Sequence, residues 1–421
     1  MPSVKFIHTA DLHLDTPFKG LSVWNSELSR RLKDATFKSF KRIIDACIER
    51  KVDFLVISGD IFDSDNKSLA GHLRFIPELK RLADKGIPTY LVCGNHDPYN
   101  HWIKELKLPE NVYCFDPEEC GYKTFIKGGI PVADIYGMSF GESKITQNLA
   151  DRYKLSPSPA PVSIAVLHGS VGEPGPHASY APFTVNDVLD KGFDYWALGH
   201  IHKSRVIRDK TPVMIYPGNP QGRDFGETGK KGCYLVTINE GQQPSYEFIP
   251  TQIIRFEDVT IDITGVQQAE ELDLKIRNAC NSVHDHDGKT NMMLRIALTG
   301  RTALHSKLEL PGEIEQLTEL YNEGQLSGDS FVWIDSIELN TYPDIDPDEL
   351  KKEPGFTSEV LKVFDRYFLN NESLDSLINS VEKDLVNPQA RKNLNELSPE
   401  VKRSLLDRAR TILIDELTRE K

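Results

Sequence analysis

From its start to about residue 250 the chain repeats one pattern. A short apolar run rich in β-branched and aromatic residues ends in a cluster of Gly, Asp, Asn or His, and a polar or helix-patterned stretch follows. The runs include Val4-Lys-Phe-Ile-His-Thr-Ala, Phe54-Leu-Val-Ile-Ser, Pro88-Thr-Tyr-Leu-Val-Cys, Ser163-Ile-Ala-Val-Leu and Tyr195-Trp-Ala-Leu. Apolar positions at helical spacing predict helices over residues 27–50 and 69–85, the second stopped by Gly86-Ile-Pro. Unbroken apolar strands alternating with helices predict an α/β domain whose strands are buried on both faces. After Met138 strands dominate, with closely spaced runs at 213–219, 232–238 and 246–249.

Near residue 252 the pattern changes to strand, helix, strand, helix, strand, at 253–263, 267–281, 292–298, 313–321 and 331–341. A polar stretch, His284-Asp-His-Asp-Gly, separates the first helix from the second strand. This predicts a small α+β domain over 252–343, after a first domain over 1–251. Pro343-Asp-Ile-Asp-Pro-Asp reads as a linker, and 344–421 reads as a helical C-terminal region. Its last helix begins with Ser398 as N-cap and Pro399 at the first helical position, both favoured there. Val401, Leu405, Ala409, Ile412 and Leu413 are expected on one face, which could dock on a partner or pack on the small domain. No repeat or low-complexity segment stands out.

Composition leaves this picture intact. At 421 residues, 39% hydrophobic and 27% charged, the chain is an ordinary globular protein of two or three domains. No stretch is apolar and long enough to span a membrane, and the start lacks the apolar core and cleavage site of a signal peptide. Cys47, Cys93, Cys114, Cys120, Cys233 and Cys280 are scattered, with no C-x-x-C pair. They read as reduced core thiols of a cytoplasmic protein, not as a disulfide framework or zinc knuckle. A formal net charge of -13 argues against a freestanding, tight nucleic-acid binder. Nucleic acid remains open as a substrate, because two divalent cations would reverse the local sign and a partner could supply the grip.

The candidate chemistry lies in the clusters that end the apolar runs. Asp11-Leu-His13, Gly59-Asp60-Ile-Phe-Asp63, Gly94-Asn95-His96-Asp97, His168-Gly169 and Gly199-His200-Ile-His202 follow in order. Strand carboxyl ends in α/β sheets gather along one edge, so residues far apart in sequence can converge there. In an extended backbone, alternate residues of Asp-x-His and His-x-His point the same way, and each pair could hold one cation. The donors are imidazole, carboxylate and one amide oxygen, a set that suits manganese, iron or zinc better than a soft metal. One shared carboxylate could bridge two cations about 3.5–4 Å apart, the spacing that clamps a phosphate. A lone Asp-x-His or His-Gly carries almost no weight; Gly-Asn-His-Asp after an apolar strand carries more, and the ordered set most. His8 reads as a core residue or a support for the site. His72, His101, His177 and His305 have no supporting pattern, and His284 and His286 read as a solvated loop that could bind metal adventitiously.

These motifs resemble the calcineurin-like metallophosphoesterase superfamily, whose pattern is D-x-H, G-D-x-x-D, G-N-H-D/E, a lone H and G-H-x-H. The opening Phe6-Ile-His-Thr-Ala-Asp-Leu-His-Leu and the later Tyr216-Pro-Gly-Asn-Pro are similar to SbcD-type DNA-repair exonucleases. The continuation Asp15-Thr-Pro-Phe-Lys-Gly-Leu resembles their bacterial YhaO-type branch. The resemblance covers roughly residues 1–250 and, beyond that, only the layout of a capping domain followed by partner-docking helices. It implies a β-sandwich flanked by helices (α/β/β/α), a small α+β cap and a helical tail. It also implies two divalent metal ions, manganese before iron or zinc. One would be held by Asp11, His13, Asp60 and His202, the other by Asp60, Asn95, His168 and His200. His96 would contact the scissile phosphate and assist the leaving oxygen, and Asp63 would orient His96. Some break-repair nucleases carry a histidine where Asp63 stands, so cleavage polarity and single- or double-strand preference stay open.

The implied function is a metal-dependent DNA nuclease, an exonuclease by type, that hydrolyses phosphodiester bonds in DNA repair beside an SbcC-like coiled-coil ATPase. A homodimer is an open possibility, and Lys402, Arg403, Arg408 and Arg410 could touch DNA, the partner or only solvent. The alternative is a phosphodiesterase acting on nucleotides or other small phosphodiesters, which the negative charge fits equally well. Such an enzyme has less need of a cap and a helical tail. A non-catalytic tether between ATPase and DNA is a third reading, against which the intact ligand set argues.

Overall fold

The computed structural model describes residues 2–16, 26–63, 69–99, 107–172, 180–283, 290–345, 347–384 and 397–418. Its strands are β1 (Ser3–Thr9), β2 (Phe54–Ser58), β3 (Thr89–Val92), β4 (Val112–Cys114), β5 (Gly121–Lys127), β6 (Ile130–Gly137), β7 (Val162–His168) and β8 (Tyr195–Gly199). They continue with β9 (Arg205–Arg208), β10 (Val213–Tyr216), β11 (Gly232–Asn239), β12 (Ser245–Pro250), β13 (Ile254–Asp262), β14 (Asn291–Thr302) and β15 (Val332–Pro343). One sheet runs β12-β11-β1-β2-β3-β4, a second β5-β6-β7-β8-β10-β9, and a third β13-β14-β15. In the first, β1 to β4 are parallel and β11 and β12 add antiparallel. In the second, β6, β7, β8 and β10 are parallel between antiparallel edges β5 and β9.

The unbroken apolar runs follow from burial on both faces. Alternate residues Phe6, Phe54, Val56, Ile164, Val166, Tyr195 and Ala197 fill one core between the first two sheets. Within it Phe6 stacks on Phe54 and meets Tyr195 edge-on, with ring centroids 4.9 and 5.5 Å apart. The intervening residues Ile7, Leu55, Ile57 and Leu91 pack outward against Phe40, Ile43, Phe75 and Leu79 of the helices Ser26–Glu49 and Leu69–Ala83. On the other side Leu167, Trp196 and Leu198 pack outward on Tyr153, Phe183 and Phe193, near the helical turns Leu149–Arg152 and Asn186–Leu189. The result is the expected two-sheet sandwich with outer helical layers. Ser26–Glu49 buries Leu28, Leu32, Ala35, Phe40, Ile43, Ile44 and Cys47, a three-and-four spacing that makes one helical face. Its first turns meet Ile254, Phe256, Met293 and Phe331.

Two compact units divide the chain. One comprises Met1–Glu257, His284–Met293 and Gly324–Trp333; the other comprises Asp258–Val283, Leu294–Glu323 and Ile334–Lys421. The second holds the helices Ala269–Val283 and Glu313–Asn322 and a helical tail, Pro347–Lys352, Phe356–Leu369, Asn371–Asp384 and Pro399–Thr418. No described helix is long and apolar enough to cross a membrane. His101, His177, His284 and His286 lie outside the described residues.

The last helix carries two apolar faces, of which the sequence reading named one. It starts at Pro399, with Val401 N hydrogen-bonded to Ser398 Oγ at 3.4 Å. Val401, Leu405 and Ile412 of the expected face are exposed, so that stripe does not pack on the rest of this unit. The buried face is instead Leu406 and Ile414, with Leu406 against Leu374, Ile378 and Phe368. Leu413 and Leu417 line the same junction with Val360, Leu361 and Phe364. Two apolar stripes share this helix, and the one carrying more large aliphatic side chains is buried. Lys402 and Arg410 of the basic cluster pair with Asp375 and Asp407 within this unit.

Leu406→Ala is therefore expected to lower stability by about 2 kcal/mol or more. Leu405→Ala should change it by about 0.5 kcal/mol or less. Urea unfolding of the two variants measures the difference, and equal effects would contradict the buried face described.

Candidate metal centre

The ends of β1, β2 and β3 from one sheet meet the ends of β7 and β8 from the other. Polar side chains tie the two. Ser58 Oγ donates to Ala197 O at 3.0 Å. His8 lies 3.1 Å from Ser58 Oγ and 2.9 Å from Tyr195 Oη. Burial pushes the His8 imidazole down to about 3, so it is neutral, with Nε2–H donating to Ser58 and Nδ1 accepting from Tyr195. Close approach requires glycine. A Cβ on Gly199 would lie 1.8 Å from Ser58 O, and one on Gly94 would lie 2.1 Å from Asp60 Oδ1.

Beyond the strand ends, the loops bind one another. Asp11 N donates to Gly59 O at 3.0 Å and His13 N to Asp60 O at 3.1 Å. His200 N donates to Asp11 Oδ1 at 2.9 Å, and His96 N to Asp60 Oδ1 at 2.9 Å. Asp97 accepts from Gly94 N at 2.8 Å and Ile61 N at 2.7 Å. Burial, then the neighbouring Asp60, pushes its carboxyl up to about 7. The extended backbone expected for Asp-x-His does not occur. Asp11, His13 and Asp60 have φ of 51, 43 and 52°, and His200 has φ of 103°. Each such residue costs roughly 1–2 kcal/mol, and the loop hydrogen bonds hold them there. The side chains converge because the chain turns back on itself after each strand.

Among the described residues the donor atoms converge as three overlapping sets, each within 4.8 Å: Asp11, His13, Asp60 and His202; Asp60, His168 and His200; and His13, Asp63 and His96, the last joined by the Asp63 carboxylate between its two imidazoles. In the first, His13 Nε2 faces His202 Nε2 at 3.0 Å and Asp60 Oδ2 at 3.8 Å. In the second, His168 Nε2 lies 3.4 Å from Asp60 Oδ2, and Asn95 Oδ1 lies 3.0 Å from His168 Nε2 and 3.1 Å from His200 Nδ1. Asp60 Oδ2 thus faces both of these sets. The outward nitrogens explain the tautomers. His13 Nδ1–H is held by Asp63 Oδ1 at 3.1 Å, His202 Nδ1–H by Glu227 Oε1 at 2.7 Å and His168 Nδ1–H by Ser58 O at 2.9 Å. Each bond commits Nδ1 as the donor and aims Nε2 inward, where a cation that displaces any Nε2 proton would find its ligand atom, as metal-ligating imidazoles require. Nitrogen and oxygen donors this close could hold divalent cations, and the absence of thiolate fits manganese, iron or zinc.

Charge is distributed unevenly. Burial pushes Asp60 up, but His168, His13 and His96 together outweigh it and hold the carboxyl well below the usual range. Burial pulls His168 down, yet Asp60 and Asp11 raise it to about 9. Burial, with His168 beside it, takes His200 down to about 3. His96 stands outside the two sets that share Asp60, half-exposed, with Nδ1 3.1 Å from Asp63 Oδ1. That hydrogen bond raises its pKa. Asp63 therefore anchors His13 and His96 through one oxygen, while Thr16 donates to the other.

Sequence reasoning missed three residues. Asn219 Nδ2 donates to Glu227 Oε2 at 2.6 Å, and Arg223 Nη2 donates to Glu227 Oε1 at 2.9 Å. Arg223 Nη1 also approaches Asp63 Oδ2 at 3.8 Å. The available signal was Tyr216-Pro-Gly-Asn-Pro followed within a few residues by Arg223 and Glu227, an unusual charged pair in a glycine-rich loop.

The Calcineurin-like phosphoesterase family model matches residues 4–204, and a model of the middle domain of metallophosphoesterase YhaO matches residues 256–342. The chain is 34% identical over 423 residues to the uncharacterized metallophosphoesterase YhaO of Bacillus subtilis, covering 98% of each protein. It is 25% identical over 295 residues to the DNA double-strand break repair protein Mre11 of Methanopyrus kandleri, covering 65% of this chain and 62% of that one. It is 29% identical over 276 residues to the protein of the same name from Sulfurisphaera tokodaii, covering 64% and 68%.

Gly94→Ala should displace Asp60 and weaken Mn2+ binding by about tenfold or more, as loss of ligand support does. Calorimetric titration of the metal-stripped variant, with circular dichroism to confirm its fold, measures this. Wild-type binding would contradict the close approach described.

Proposed function

The chain belongs to the calcineurin-like phosphoesterase family, and from that premise we propose that it is a metal-dependent DNA nuclease, an exonuclease by type, working in DNA repair beside an SbcC-like coiled-coil ATPase. The observation that carries the hydrolytic part is Asp60 facing two ligand sets next to a His96 imidazole held on Asp63. The DNA part is supported by the similarity to proteins named for double-strand break repair.

In this reading Asp11, His13, Asp60 and His202 hold one divalent cation, and Asp60, Asn95, His168 and His200 hold the other, with manganese as the metal. When bound, the pair would supply Lewis acidity toward the phosphoryl oxygens and offset their charge. The protein's part is to orient the donors, as the loop hydrogen bonds do, and to move a proton. His96, whose pKa the hydrogen bond to Asp63 raises, donates to the leaving oxygen through the Nε2–H that Asp63 does not occupy. Residues 1–251 form the phosphoesterase domain, 252–343 the cap and 344–421 the region that docks the ATPase. The exposed Val401, Leu405 and Ile412 support that docking, since a bare apolar stripe invites a partner helix. A cytoplasmic location and a homodimer belong to the same proposal.

The test gives purified protein with Mn2+ end-labelled double- and single-stranded DNA, beside bis-p-nitrophenyl phosphate, with and without the ATPase. Cleavage of DNA is expected. Cleavage of the small diester alone, even with the ATPase present, would favour the small-substrate phosphodiesterase instead. His96→Asn should abolish turnover while Mn2+ content stays near wild type, and loss of metal in that variant would make His96 a ligand.

A further inference from the structure

All six cysteines are free thiols, and two of them face each other. Cys93 follows β3 and Cys114 ends β4, with their sulfurs 3.8 Å apart. Both side chains point into the outer layer that Leu91 shares. A buried free cysteine usually serves as a small apolar residue. Here Cys114 is partly exposed, and a second sulfur lies in contact with it.

The local backbone explains the meeting. β3 and β4 are parallel, with Leu91 opposite Cys114, and Phe115 N donates to Leu91 O at 3.1 Å. The next bond of a parallel ladder would run from Cys93 N to Phe115 O. The buried Ser139 hydroxyl takes its place, accepting from Cys93 N at 2.9 Å and donating to Phe115 O at 2.5 Å. The strand ends are therefore wedged apart, and the two thiols face each other beside the wedge.

Cys93 is also tied to the metal centre. It precedes Gly94, which has no room for a Cβ against Asp60, and Asn95, whose Oδ1 faces His168 and His200. Its carbonyl accepts from Phe140 N at 3.0 Å, and the Phe140 ring meets His168 edge-on at 5.4 Å. A disulfide needs an S–S distance of roughly 2.05 Å, so the sulfurs must approach by roughly 1.8 Å. Side-chain rotation supplies part of that movement. The wedge leaves the rest to the backbone at Cys93.

We propose that Cys93 and Cys114 form a peroxide-responsive pair, whose disulfide shifts the Gly94-Asn95 turn and loosens the metal centre reversibly. Cys114, the more exposed thiol, takes one oxygen from hydrogen peroxide and becomes a sulfenic acid, releasing water. The Cys93 sulfur then attacks Cys114 Sγ. The S–O bond breaks, and the hydroxyl leaves as water with the Cys93 proton. Two thiols and one peroxide thus give one disulfide and two waters, the sulfurs being oxidised and the peroxide reduced. The cross-link stands on the thiol geometry, whereas the loosening rests on the metal reading above.

The metal-stripped full chain is treated with hydrogen peroxide, cleared of it with catalase, and then mapped by peptide mass spectrometry and titrated calorimetrically with Mn2+. Fragments carrying Cys93 and Cys114 should stay linked until dithiothreitol is added. Mn2+ binding should weaken by about tenfold, as loss of ligand support does. Dithiothreitol, removed before titration, should restore binding, which separates the disulfide from methionine oxidation. Cys114→Ser should bind Mn2+ equally before and after peroxide, and Cys114→Ala takes its place if the serine variant does not fold. Peroxide that leaves the two cysteines unlinked in the folded chain would overturn the proposal. So would a linked chain that binds Mn2+ as tightly as the reduced one. No Mn2+ uptake by the reduced wild type would instead overturn the metal reading, and the cross-link would still stand or fall on the peptide map.

Discussion

The structure depends on one close approach, that of the end of β2 to the end of β8, where Gly199 lies against the carbonyl of Ser58 with no room for a Cβ. Two sheets that pack face to face normally keep their backbones about 10 Å apart. Here the sandwich pinches at its carboxyl edge, because glycine and small polar residues replace the large apolar side chains that space it elsewhere. The pinch brings the loop carrying Asp60 from one sheet to the loops carrying His168 and His200 from the other. Without it, Asp11, His13, Asp60 and Asn95 would stay with one sheet and His168, His200 and His202 with the other, and neither ligand set would be complete.

The polar ties across the pinch are matched to its burial. His8, Ser58 and Tyr195 form a relay in which each described donor has an acceptor, which is what permits so polar a cluster inside an apolar sandwich. A net stabilisation of about 0.5–1.5 kcal/mol per such bond is comparable with the cost of holding Asp11, His13, Asp60 and His200 at positive φ. The strain and the hydrogen bonds therefore belong to one design. The backbone turns that aim the ligands persist because neighbouring loops bind the turned segments.

A second layer of carboxylates surrounds the ligands. Asp63, Asp97 and Glu227 each tie separate segments together: Asp63 joins His13 to His96, Asp97 joins the β2 and β3 loops, and Glu227 joins His202 to the Asn219 loop. Asp63 and Glu227 are held well below the usual carboxylate range despite burial, by the imidazoles and the guanidinium that face them. They are thus fixed negative charges rather than proton stores, which suits groups that must keep imidazole N–H bonds pointing outward.

Much of the first unit was legible along the chain, because its apolar runs and its clusters of Gly, Asp, Asn and His are local signals. Strands β1, β2, β3, β7 and β8 and the helix Ser26–Glu49 follow from hydrophobic period alone. The strand β5 was not legible, since it lies at a sheet edge with mostly solvated side chains and has no apolar period to read. The burial of Leu406 rather than Leu405 was decided by which neighbouring helix supplies a partner, and both stripes have valid helical spacing. The sequence by itself determined which donor types are present, the order in which they follow strand ends, and the glycines beside them. Tertiary structure alone decided that Asp-x-His converges through turned rather than extended backbone, that Asp63 serves two histidines, and that Glu227 and Arg223 stand behind His202. Those depend on distances between segments far apart in the chain, and no local pattern encodes such a distance.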